Sequence, residues 1–252
     1  GKALGYLLDN AKFEKEALEE FRIYIYVASE RDFFTLGAGR QVLKPDEIKD
    51  VASALGMGNV GKIGFTSPKT GVTYTPNHYQ VIREMLTTSM IFVVEVNSGG
   101  LHKKTRMVEA SYHSDLNRLM VFADLPPIHR MAHIVHETTH AVQDWLDIDS
   151  EVKFVEADAW IAGGVAALAG GGDAALKSYL AAAAWTTVAA ASTIVFKGDL
   201  KDFGKAYEAV WKEMEPALPN KRFRPSAKEK GANEKAQFDA LMTKITAKKP
   251  GP

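Results

Sequence analysis

The stretch His136-Glu137-Thr138-Thr139-His140 constrains this chain more than any other, because its spacing has a chemical meaning only on a helix. In a helix of about 3.6 residues per turn, positions four apart lie roughly 40° from each other around the axis, so both imidazoles can turn toward one metal ion. Glu137, three residues before His140, falls on nearly the same face. There it can poise a water held at the metal without being a ligand itself. Two histidines and a non-ligand glutamate in H-E-x-x-H order form the pattern of a hydrolytic zinc site. A match of this kind arises by chance in on the order of one chain in a hundred of this size, so its surroundings matter. Met131, Ile134, Val135, Thr138, Ala141, Val142 and Trp145 supply apolar or small side chains at helical spacing around the His/Glu face, which predicts a helix.

A zinc site of the catalytic kind needs a third protein ligand and leaves a fourth position for water. The chain has no cysteine, so that ligand must be a histidine or a carboxylate. Leu146-Asp147-Ile148-Asp149 reads as a turn, and Ser150 as the N-cap of the next helix. His140 to Leu146 and Ser150 to Glu156 are both six steps. In an antiparallel helix pair each arm then covers about 9 Å at 1.5 Å per residue, and Glu156 returns level with His140. Glu151, roughly 7 Å short of that level, reads instead as an acid favoured by the helix dipole. Glu156 shares its face with Val152, Ala159 and Gly163, where a carboxylate without a partner would be costly and a metal would supply one. The predicted set is one Zn²⁺ per chain on His136, His140 and Glu156, with Glu137 as general base.

Length and composition fit an ordinary globular protein: 252 residues, 46% hydrophobic and 25% charged. With 31 basic and 31 acidic residues there is no net charge to argue for nucleic acid or an anionic membrane surface. The compartment stays unread, since neither cysteine usage nor the first residues decide it. Helical periodicity predicts an amphipathic helix from Asn10 to about Glu30, and another after Pro45 with Ile48, Val51, Ala52 and Leu55 as its stripe. Two short strands are expected around Pro68-Lys69-Thr70-Gly71, then a helix opened by Pro76. Gly58, Gly61 and Gly64 lack the strand and helix context of a phosphate loop and read as turns.

Three strand-like runs follow, Met90 to Val96, Arg106 to Tyr112 and Arg118 to Phe122. Gly99-Gly100 and Ser114-Asp115 separate them, and connections this short predict an antiparallel meander before the metal helix, with Arg118 to Phe122 as an exposed edge strand. The fold class expected is α+β, mainly helical with a small antiparallel sheet packed on the H-E-x-x-H helix. Three regions are expected: residues 1–88, mostly helical with a short hairpin; residues 89–216, carrying the site; and residues 217–252, a basic, flexible tail. Beyond Pro219 that tail has nine Lys or Arg against three acids, and Gln237 to Ile245 could form a short docked helix. Ser178 to Phe196 carries no charge but includes seven alanines and several hydroxyls, which favours a buried helix over a membrane span.

A small sheet followed by the H-E-x-x-H helix and a glutamate-bearing helix resembles the zincin metallopeptidases, and Glu156-Ala157-Asp158-Ala159 resembles the corresponding helix of their gluzincin branch. The resemblance spans Met90 to Ala162. It implies that a His-His-Glu set holds zinc and that an edge strand beside the metal pairs with an extended peptide or protein substrate. Several gluzincins place an aspartate four residues after the ligand glutamate, where this chain has Trp160. The group that orients a ligand histidine is therefore open between Asp158 and Asp144. Gln143 and Leu146 stand where the longer metzincin signature has glycine and histidine. The expected activity is zinc-dependent hydrolysis of a peptide or other amide bond. The alternative is a zincin-like module that metal stabilises without turnover. Tyr112, His113, Tyr179 and Tyr207 are unranked sources of an oxyanion-stabilising group, and His133 is expected to make local hydrogen bonds.

Overall fold

A computed structural model describes residues 40–43, 47–96, 110–122, 125–181, 185–218, 222–223 and 232–247. The helix expected from Asn10 to Glu30 lies outside them, as does Pro45. In chain order the elements are β1 (Arg40–Leu43), α1 (Lys49–Ala54), α2 (Met57–Val60), β2 (Phe65–Thr66), β3 (Thr73–Tyr74), α3 (Pro76–Thr87), β4 (Phe92–Val96), β5 (Ala110–His113), β6 (Arg118–Phe122), α4 (Pro127–Trp145), β7 (Ser150–Glu151), α5 (Val152–Ala181), α6 (Thr187–Lys197), α7 (Phe203–Met214), β8 (Arg222–Phe223) and α8 (Ala232–Ala247). The protein is α+β and mainly helical, with small sheets. The stripe predicted on α1 is buried, and β2 and β3 pair across the predicted Pro68–Gly71 turn. Proline at the first position of α3 and Thr75 before it, bonded to His78, start that helix where the sequence indicates.

The larger sheet corrects the expected meander. Its strand order is β1-β4-β6-β5, with β4 and β6 parallel and the other two pairings antiparallel. Within this sheet, among the described residues, β5 and β6 form the one hairpin, through Asn117 at φ 45°. β5 runs antiparallel to β4, as a meander would have it, but it pairs with the far side of β6 instead of with β4 itself. A second correction follows from the same order. β6 is paired on both sides, Val94 opposite Met120 and Tyr112 opposite Leu119, so Arg118 to Phe122 is an interior strand and β5 is the edge.

α4 is the centre of the fold, buried at every residue from Ala132 to Trp145. Such a helix must satisfy its polar side chains internally. Thr138 and Thr139 do so by donating to the carbonyls of Ile134 and Val135, and Thr139 also bonds the Tyr79 hydroxyl at 3.0 Å. α5 returns along α4 after Asp147, at φ 60°. It begins at Val152 rather than directly after Ser150, because Ser150 and Glu151 pair with Phe223 and Arg222. Tertiary pairing overrides the capping preference of that serine, and Glu151 meets Lys153 at 3.0 Å.

One apolar cluster runs from Ile48 to Phe238 and takes in residues of all three expected regions. Phe238 of α8 stacks on Trp145 at 5.5 Å, a burial worth on the order of 2 kcal/mol that docks the end of the chain on α4. α5 is long and apolar enough to cross a membrane by length and composition, with 61% of its most apolar window buried inside the fold. The uncharged stretch from Ser178 to Phe196 is divided between the end of α5 and α6.

Candidate metal centre

His136, His140 and Glu156 meet between α4 and α5. His136 Nε2 lies 3.5 Å from Glu156 Oε2, and His140 Nε2 lies 3.5 Å from Glu156 Oε1. One ligand atom from each of the three falls within 4.8 Å of the others. Donors about 2.1 Å from a tetrahedral zinc stand about 3.4 Å from each other. The three side chains are spaced to hold a metal ion, and the antiparallel return predicted from the length of the two arms is what brings Glu156 level with His140.

The hydrogen bonds behind His140 define which of its nitrogens faces the site. Gln143 is fully buried, and its amide nitrogen lies 2.9 Å from the Val155 carbonyl, which can only accept, and 3.0 Å from the Tyr74 hydroxyl. Its oxygen is then the atom 2.8 Å from His140 Nδ1, so Nδ1 carries the hydrogen. His140 Nε2 therefore faces a carboxylate oxygen with either a proton or a metal ion between them. Burial pushes the His140 imidazolium down, but the Glu156 carboxylate outweighs it and raises His140 to about 9. Burial wins at His136, which is lowered to about 4 with His140 beside it adding to the effect. For Glu156 burial acts upward and is overcome by His140 and then His136, which hold it well below the usual carboxylate range. These three groups could hold a metal ion.

Glu137 stands beside them and is buried. Its Oε1 is 3.8 Å from His136 Nε2, and its Oε2 accepts the Tyr112 backbone N–H of β5 at 2.7 Å. Burial raises it to about 7, with His140 pulling down and Glu156 pushing up. A carboxylate with that value can take up a proton near neutral pH.

Neither aspartate considered for orienting the histidines does so. Asp144 accepts the Tyr112 hydroxyl at 2.8 Å and so ties the edge strand to α4. Asp158, fully buried and raised by burial to about 7, accepts from Tyr74 at 2.9 Å and from Thr70 at 3.0 Å. The groups that touch the ligand imidazoles are Gln143 and, at 3.1 Å from His136 Nδ1, the Tyr179 hydroxyl. Gln143 was within reach of sequence reasoning, since it lies one turn after His140 on the same helix. Tyr179 carries no local signal.

The four candidates for stabilising an oxyanion are all engaged elsewhere: Tyr179 with His136, Tyr112 with Asp144 and Asn117, Tyr207 with Ser67 and the Phe154 carbonyl, and His113 with Ser111. His133 packs against Tyr179 at 5.0 Å and Trp160 at 6.1 Å. Trp160, the departure from the gluzincin aspartate, lies edge-on to His136 at 4.7 Å, and Phe223 stacks on His140 at 6.2 Å.

Comparison with known protein families, curated proteins and solved structures finds no match. The metal centre rests on its own geometry.

Proposed function

We propose that the protein is a zinc-dependent hydrolase of peptide or other amide bonds, of the zincin type and closest in its ligand set to the gluzincins. The observation that carries this reading is the placement of a buried Glu137 beside three donors spaced for one metal ion. His136, His140 and Glu156 would hold the zinc. When bound, zinc lowers the pKa of an attacking water toward neutrality and polarises the substrate carbonyl. Glu137 would serve as the base that accepts a proton from the attacking water and passes it to the leaving amine. The Tyr112 amide keeps the carboxylate aimed while it does so.

A peptide substrate would lie along β5, the outermost strand of the larger sheet on this side among the described residues, rather than along β6, which is paired on both sides.

The test is cleavage of a peptide library by the zinc-loaded protein. Cleavage abolished by a chelator and restored by zinc is the expected result. Stoichiometric zinc with no cleavage of any library member would leave the metal-stabilised binding module in its place.

A further inference from the structure

The glycine run Gly170-Gly171-Gly172 plays no part in the reading above, yet it decides what surrounds His136. α5 leaves helical geometry there, and Gly172 adopts φ 65° and ψ −157°, a conformation open essentially to glycine alone. The residues after this break pack back against those before it. Tyr179 lies with its ring 5.0 Å from that of Trp160, and its hydroxyl occupies the position beside Gly163 where a side chain would begin. A Cβ built on Gly163 would fall 2.3 Å from the Tyr179 hydroxyl and 2.8 Å from the ring carbon that bears it. Real Cβ atoms do not approach so closely, so the absence of a side chain at 163 is what admits Tyr179.

We infer that Tyr179 is the positioning residue of His136, carried to it by the chain reversal at Gly172 and admitted by Gly163. This rests on the metal reading. His136 Nδ1 and the Tyr179 hydroxyl are 3.1 Å apart, and both groups are buried. When His136 Nε2 is committed to a metal ion, Nδ1 carries the hydrogen and donates it to the phenol oxygen. A hydroxyl can also donate to a bare Nδ1, so Tyr179 holds the ring in either tautomer. Gln143 differs in fixing a single tautomer on His140.

The test uses the full chain and measures Zn²⁺ affinity by competition with a chromogenic chelator, together with the visible spectrum of the Co²⁺-substituted protein. Tyr179→Phe removes only the hydroxyl. It should weaken zinc binding about tenfold, at the lower end of what the loss of a partner to a ligand histidine costs, and shift the cobalt bands. Gly163→Ala should do the same by displacing the ring, and should add less than about twofold to the loss once Tyr179→Phe is present, since the shared hydrogen bond is then already gone. Gly164→Ala is the control. Its Cβ would meet the Ser192 hydroxyl at 2.2 Å, an equally severe clash one residue on, so it should lower the melting temperature and leave zinc affinity unchanged. Wild-type affinity and an unaltered cobalt spectrum in Tyr179→Phe would overturn the inference, whether or not the glycine variants fold. If the unsubstituted protein bound neither metal, the metal reading itself would fail and this inference with it.

Discussion

The two ligand histidines are four residues apart on one helix, but they are held in different ways. His140 is oriented by Gln143, one turn further along the same helix, and the Val155 carbonyl that fixes the Gln143 amide belongs to the next element in the chain. His136 is oriented by Tyr179, which reaches it only because α5 reverses at Gly172 and gives way at Gly163. The first arrangement needs little more than helical spacing and an antiparallel return. The second depends on a packing event that no local pattern announces. The difference shows that a candidate metal site can be half local and half tertiary even when both of its histidines come from a single motif.

The largest expected effect tests the group that both halves surround. Glu137→Gln keeps its shape and loses the proton acceptor, so turnover should fall about 10²- to 10⁴-fold while zinc content stays near wild type. Glu156→Gln weakens a ligand, so metal occupancy and activity should fall together. Zinc analysis and peptide cleavage on both variants check this. Should Glu137→Gln lose zinc while Glu156→Gln keeps it, the two carboxylates have each other's roles.

Next in size is the local half of the comparison. Gln143→Leu leaves the His140 Nδ1–H buried without an acceptor and frees the ring to turn, so chelator competition should show zinc affinity weakened by roughly 10- to 100-fold. The loss should exceed that of Tyr179→Phe. Equal losses would mean that fixing one tautomer matters no more than accepting both.

A smaller effect separates the histidines by pH in the metal-free protein. His140 is raised from 6.5 to about 9 in the folded state, so its contribution to stability is complete below pH 6.5 and is lost as pH rises through about 9. Glu137, at about 7, is already largely ionised above about pH 7.5. Denaturant unfolding between about pH 7.5 and 9.5 should therefore show falling stability, and His140→Gln should flatten the profile. A profile unchanged by that substitution would detach the shift from His140.

Much of this was legible in the chain. The helix bearing the motif, the return of Glu156, the short strands at Phe65 and Tyr74 and the helix begun by Pro76 follow from spacing and capping, which act over a few residues. The parallel pairing of β4 with β6 was not legible, because which strands become neighbours is decided by tertiary packing and not by the pattern within each strand. With β6 in the interior, β5 is the outermost described strand on that side, and its Tyr112 amide touches Glu137. Asp158 drew attention by its closeness to Glu156, yet alternate helix faces send it to Tyr74 and Thr70 instead.

His136, His140 and Glu156 are proposed to hold one metal ion together. Elemental analysis of the purified protein and of the doubly substituted His136→Ala, His140→Ala chain tests it most directly. About one zinc per chain is expected in the first and none in the second. Stoichiometric zinc retained by the doubly substituted protein would contradict the assignment.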